Sequence, residues 1–198
     1  MVRAFAGTGK TATLVAYAQA RPERRMLYIA FNRSVREEAQ ARFPANVCCR
    51  TAHQLAWPEF GQHYSHRLVP SLCISDIAGA LSLRQWPLAA AVRETLQAFM
   101  NSADTTLSEV LPLAVRLWHR MCDRSDDFPV VHDLYLKLYQ LSQPDLSAKY
   151  DEILFDEALD ASPVISDLVL RHRGTLVMVG DTHQQRWIRT CWCWISQF

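Results

Sequence analysis

The chain has 198 residues, 49% of them hydrophobic and 21% charged, with a formal net charge of +1 at pH 7. Such a composition suits a soluble globular chain of one domain with an insertion, and no apolar run approaches membrane-spanning length. The near-neutral balance lacks the broad basic excess of most nucleic-acid-binding domains, so any such function must rest on local features.

Reading from the N-terminus, Ala4-Phe5-Ala6-Gly7-Thr8-Gly9-Lys10-Thr11 has the pattern of a phosphate-binding loop opening a helix. Glycines let backbone N–H groups approach a polyphosphate, Lys10 can reach the β and γ phosphates, and the Thr11 hydroxyl can ligate Mg2+. The cofactor-binding set is therefore Ala6, Gly7, Thr8, Gly9, Lys10 and Thr11. The full pattern asks for glycine where Ala4 stands, so an ordinary glycine-rich turn before a core helix is the competing reading. The context follows in the expected order, with an apolar helical run from Ala12 to Ala18 and then a strand over Met26–Phe31.

Arginine outnumbers lysine 18 to 3, and arginines recur at 21, 24, 25, 33 and 36 and again at 171, 173, 186 and 189. Most belong to solvated helix faces. Arg33 is the one expected near a strand-end surface. Six cysteines, at 48, 49, 73, 122, 191 and 193, form no Cys-x-x-Cys pair and are read as free thiols. Cys48, Cys49 and His53 are better explained by a short buried strand followed by a helix than by a metal site.

From about Pro58 to Lys149 the pattern is helical. Val92, Leu96, Phe99 and Met100 recur at one-face spacing, and Leu111–Met121 forms a second apolar-faced run with Pro112 near its start. So long a stretch is an inserted helical subdomain rather than a crossover. Beyond it, the strand Ile153–Phe155 runs into Asp156-Glu157-Ala158-Leu159-Asp160. A carboxylate at a strand's C-terminal end shares a sheet edge with the phosphate loop, where Asp156 can hold Mg2+ through its water shell and Glu157 can polarise the attacking water. A solvated acidic turn, capped by Asp160 or Ser162 ahead of Pro163, is the alternative and is compatible with the first. A further strand, Leu176–Val179, leads into Gly180-Asp181-Thr182-His183-Gln184-Gln185, where the Gln184 amide can sense a γ-phosphate.

Together these residues resemble the superfamily 1 DNA helicases of the UvrD and Rep type, and within them the branch related to the F-box DNA helicase. Gly7–Thr11 is similar to helicase motif I, Tyr28–Ser34 to motif Ia, Thr51–Ala56 to the Thr-x-His-Ser-Leu-Ala element, Asp156–Asp160 to motif II and Gly180–Trp187 to motif III. His132–Leu138 with Gln140–Ser142 resembles a segment of the F-box branch in particular.

The resemblance implies an α/β fold, a RecA-like P-loop NTPase domain with a parallel sheet and an inserted helical subdomain. Its core would comprise residues 1–57 and 150–187, the insertion residues 58–149, and an atypical tail residues 188–198. It implies ATP and Mg2+ as cofactors, with Glu157, Gln184 and Lys10 catalytic, Asp156 and Gln184 joining the nucleotide site, and Thr11 and Asp156 on the metal. The implied partners are single-stranded DNA and single-strand/duplex junctions, with no membrane. Phe31, Asn32, Arg33, Thr51, His53 and Trp187 would contact DNA, and Phe31 and Trp187 offer aromatic faces on which bases can stack. For Phe31, which closes an apolar run, a core role is the alternative.

The family activity is ATP hydrolysis coupled to 3′-to-5′ movement on single-stranded DNA and duplex separation. The second RecA-like domain, which supplies the arginines facing the γ-phosphate, is expected to be missing from this chain, and the family's upstream glutamine motif has no room before the phosphate loop. Leu159 stands where the family has glutamine. The expectation is thus the ATP-binding motor portion of a helicase that binds nucleotide better than it hydrolyses it, with a nucleotide-dependent DNA-binding module without turnover as the alternative. An unrelated P-loop kinase fits the strand-end patterns poorly. The implied location is the cytoplasm in a bacterium or the nucleus in a eukaryote.

Overall fold

The structure, a computed structural model, describes residues 2–3, 10–108, 111–156, 158 and 160–180. Its described residues form two compact units, one within Met1–Ala52, Asp145–Ser162 and Leu168–Phe198, the other within His53–Pro144 and Pro163–Asp167.

The first unit is an α/β layer built on β1 (Val2–Arg3), β2 (Met26–Ala30), β3 (Val47–Thr51), β4 (Glu152–Phe155) and β5 (Thr175–Gly180). All pairings are parallel, in the order β1-β5-β4-β2-β3, consistent with a RecA-like fold. Every residue of β2 is buried, because a parallel sheet is covered on both faces and its central strands are apolar throughout. The helices α1 (Lys10–Gln19) and α2 (Arg33–Arg42) follow β1 and β2. Leu14 and Ala18 of α1 and Ala39 of α2 share a core cluster with Tyr28, Ala30, Cys49, Leu154 and Val179. At the sheet's opposite end Arg25 grips Asp151, Nη2 lying 2.9 Å from Oδ1, and this ion pair holds the Asp151 carboxyl down to about 2.

The strand expected over Met26–Phe31 stops at Ala30, and Phe31 is 68% exposed. The core role for Phe31 is thereby overturned. The cause is local: Asn32 adopts an extended cap conformation and its side chain accepts from the Val35 N–H at 2.9 Å, so the chain turns into α2 before Phe31 can join the sheet.

In the second unit, α3 (Ala52–Ala56) continues the chain from β3, and a 3-10 turn covers Gly61–Arg67. The helices α4 (Ile74–Ala80), α5 (Trp86–Asn101), α6 (Pro112–Cys122) and α7 (His132–Leu141) follow, and α8 (Pro163–Leu170) begins with residues of this unit. Val92, Leu96, Phe99 and Met100 are all buried on one face of α5, as their spacing requires. Phe99 meets Trp118 of α6 edge to face at 5.1 Å between centroids. On its other flank, the fully buried Lys137 of α7 lies over the Phe99 ring and donates to the carbonyls of Ser102 and Asp104 just past α5. Gln140, one turn on, donates to Ala103 O and to Asp167 Oδ2.

Burial pushes the Cys49 thiol up to about 11 and the Cys122 thiol up to about 12, and drives the Lys137 ammonium down to about 8. Between about pH 8 and 9 the folded chain has released the Lys137 proton while the unfolded chain still holds it, so stability rises with pH. Above the ordinary thiol value of 9.0 the unfolded chain ionises two cysteines that the fold keeps neutral, and the slope reverses. Denaturant midpoints are therefore expected to peak near pH 9. Lys137→Met should abolish the rise and leave the fall, and a flat profile in the parent chain would contradict these assignments.

Candidate functional site

In a parallel sheet all strand C-termini share one edge, and register decides which residues stand level there. Ile29 pairs with Phe155 and Ala30 with Thr51, so the next residue of the β4 segment, Asp156, comes level with Ala30 and Thr51. The helix α1 opens beside this row. Thr11, in its first turn, donates its hydroxyl to Asp156 Oδ2 at 3.0 Å. The same oxygen accepts from the Tyr28 hydroxyl at 3.2 Å. Asp156 is only 8% exposed, and a carboxylate so withdrawn from water is sustained by hydrogen bonds of this kind. The loop after β4 is tied to its neighbour strand where the Ala158 N–H donates to Val179 O at 3.1 Å.

Thr11 and Asp156, residues 145 positions apart in the chain, are thus in direct contact. Ala6, Gly7, Thr8, Gly9, Glu157, Gln184 and Trp187 lie outside the described residues, as does the side chain of Lys10, whose backbone opens α1. Tyr28 was not singled out from the sequence as a site residue. A signal existed: a tyrosine in the middle of a fully buried apolar strand needs a partner for its hydroxyl. Its ring packs on Phe43 at 4.8 Å, which fixes where the hydroxyl points.

Along the same edge, Phe31 projects into solvent after β2, Asn32 caps α2, and Arg33 holds Glu37 at 2.9 Å with its side chain 83% exposed. That pairing raises the Arg33 guanidinium and lowers the Glu37 carboxyl. Thr51 is buried at the end of β3.

His53 belongs to the second unit, where its Nε2 lies 3.4 Å from Asp133 Oδ1 at the start of α7. The contact with His53, opposed by burial and aided by Asn101 and His132, holds the Asp133 carboxyl below its ordinary range. Tyr135 completes the cluster, its hydroxyl 2.9 Å from His132 Nδ1 and its ring edge-on to His53 and Trp57. Among the described residues no group of three or more His, Cys, Asp or Glu side chains is placed to hold a metal ion, and Cys48, Cys49, Cys73 and Cys122 are free thiols.

Among known proteins, the chain is 36% identical to F-box DNA helicase protein 1 of Schizosaccharomyces pombe over 222 aligned residues, covering 92% of this chain and 25% of that protein. It is 34% identical to F-box DNA helicase 1 of Gallus gallus over 219, covering 93% of this chain and 22% of that protein. No protein-family model matches. The chain therefore spans about a quarter of the length of these curated relatives, and its homology to them supports a helicase family.

Proposed function

We propose that this chain is the ATP-binding motor portion of an ATP-dependent DNA helicase of the UvrD/Rep type, acting on single-stranded DNA and single-strand/duplex junctions. The observation that carries the reading is the Thr11–Asp156 contact at the carboxyl edge of a parallel sheet, in a chain homologous to proteins named as DNA helicases. One hydroxyl and one carboxylate oxygen, converging at 3.0 Å, are the hard donors that Mg2+ selects. Thr11 and Asp156 would hold Mg2+, which would supply positive charge to offset that of the nucleotide phosphates.

The chain's own residues divide the remaining work. By the resemblance, Ala6–Gly9 would cradle the phosphates, and the N-terminal N–H groups of α1 would add favourable dipole. Lys10 pairs with the β and γ phosphates. Asp156 would hold the ion through its water shell, its carboxylate oriented by the bond from the Tyr28 hydroxyl. Glu157 accepts a proton from the attacking water, and Gln184 senses the γ-phosphate. Movement 3′ to 5′ and duplex separation belong to the whole helicase and rest on the resemblance.

By the resemblance, Phe31, Asn32, Arg33, Thr51, His53 and Trp187 are the residues proposed to contact the strand. The exposure of Phe31 supports a base-stacking role. Phe31→Ala is expected to weaken single-stranded DNA binding by about 1–3 kcal/mol, read by fluorescence anisotropy, without changing thermal stability. Unchanged affinity would remove Phe31 from that set.

The reading is tested by measuring Mg-ATP turnover with and without single-stranded DNA. Turnover stimulated by DNA is the result expected of a motor portion. ATP and DNA binding with no turnover under any condition would instead leave a nucleotide-dependent DNA-binding module.

A further inference from the structure

The second unit contains a cleft of about 210 Å³ between the Pro70–Leu72 segment, one face of α5 and the first turn of α7. We infer that this cleft receives one unpaired base of a DNA strand and prefers a base carrying an exocyclic amine, cytosine, adenine or guanine, over thymine. The inference rests on the single-stranded DNA reading above and adds a base-selective site to it.

Size and lining argue together. The volume is below the roughly 300–1,000 Å³ of pockets that enclose drug-sized ligands, which leaves room for about one ring system. Pro70, Leu72, Met100 and Val131 supply apolar lining against which a ring can pack. Arg93 and Gln97 stand one turn apart on the α5 face that also carries Met100, and His132 and Asp133 enter from α7, so polar groups are available to a ring's edge. A small cleft lined by both apolar and polar side chains matches a splayed-out base.

Charge separates a base from a backbone phosphate. Asp133 lines the cleft, and its contact with His53 keeps it a carboxylate at neutral pH. A carboxylate repels a phosphodiester and accepts from an amino group. Thymine offers no amine, whereas cytosine and adenine each present one beside a ring nitrogen that Gln97 or Arg93 can serve, and guanine pairs its amine with a ring N–H. His53, which the resemblance assigns to DNA contact, belongs to the same unit as the cleft, and its imidazole contacts Asp133 directly.

The test compares binding of short fluorescein-labelled oligo(dC) and oligo(dT) to the full chain by anisotropy. Oligo(dC) is expected to bind about tenfold more tightly, the scale of one good base-edge interaction. Asp133→Asn should erase that preference. Because Asp133 also holds His53, Gln97→Ala is the companion variant: its side chain is exposed on α5, and it should reduce the preference while leaving thermal stability unchanged. Equal binding of both strands by the parent chain, or a preference surviving both substitutions, overturns the base site and leaves the single-stranded DNA reading intact. No binding of either strand overturns both.

Discussion

Asp156→Asn is expected to lower the affinity for Mg2+, measured at fixed ADP concentration, by about 100-fold, the upper range for loss of a group that orients a metal's coordination shell. The substitution preserves side-chain shape and an acceptor oxygen for the Tyr28 hydroxyl, so the fold should survive while the charge facing the ion is lost. Tyr28→Phe tests the same oxygen from behind. It removes only the hydroxyl 3.2 Å from Asp156 Oδ2 and should cost about tenfold in Mg2+ affinity, with metal-free nucleotide binding unchanged. A merely structural tyrosine would lower stability without separating these two affinities. If Asp156→Asn binds Mg2+ as the parent does, the Thr11–Asp156 pair is not a metal site.

The second large effect is on stability. The guanidinium of Arg67, 7% exposed, donates to the carbonyls of Phe128, Met121 and Asp123. Nearby, the Tyr64 hydroxyl donates to Cys122 O at 2.8 Å, and the Arg67 guanidinium sits 5.1 Å from the Tyr64 ring centroid. The last carbonyls of α6 have no partner within the helix, and this arginine and tyrosine supply donors to them while placing positive charge at the negative end of the helix dipole. Arg67→Ala leaves three carbonyls to find other donors in a buried setting and is expected to destabilise the chain by about 3–5 kcal/mol in urea unfolding. Arg67→Lys should recover only part of this, since a point charge on a flexible stem cannot reproduce the planar fork. A loss below about 1 kcal/mol for Arg67→Ala would mean that water or a neighbour replaces the donor.

These two cases show where the sequence was legible. The strands over Ile153–Phe155 and Leu176–Val179 could be read because buried parallel strands are short apolar runs, and the acidic residue after the first marks its own position on the sheet edge. The apolar face of α5 was legible for the same reason, a period that survives without knowledge of the partner. Phe31 was ambiguous because its neighbours on one side are apolar; what excluded it from the core is the Asn32 cap, a local signal present in the sequence but outweighed by the run before it. Tyr28 and Arg67 escaped because their partners are remote in the chain, 128 and 54 to 61 positions away. Neither partner follows any periodicity. The stretch His132–Leu138 with Gln140–Ser142 was read only as a mark of kinship, whereas the structure gives it physical content: Asp133 holds His53, and Lys137 and Gln140 occupy the carbonyls beyond α5.

The central claim is that the chain holds Mg-ATP on the edge where Thr11 meets Asp156. Equilibrium binding of ATP, titrated with and without Mg2+ to the parent chain and to Lys10→Ala, tests it most directly. The account predicts ATP binding that strengthens with Mg2+ in the parent and is lost in Lys10→Ala while thermal stability is retained. Equal ATP affinity in the two proteins, or none in a folded parent, would contradict it.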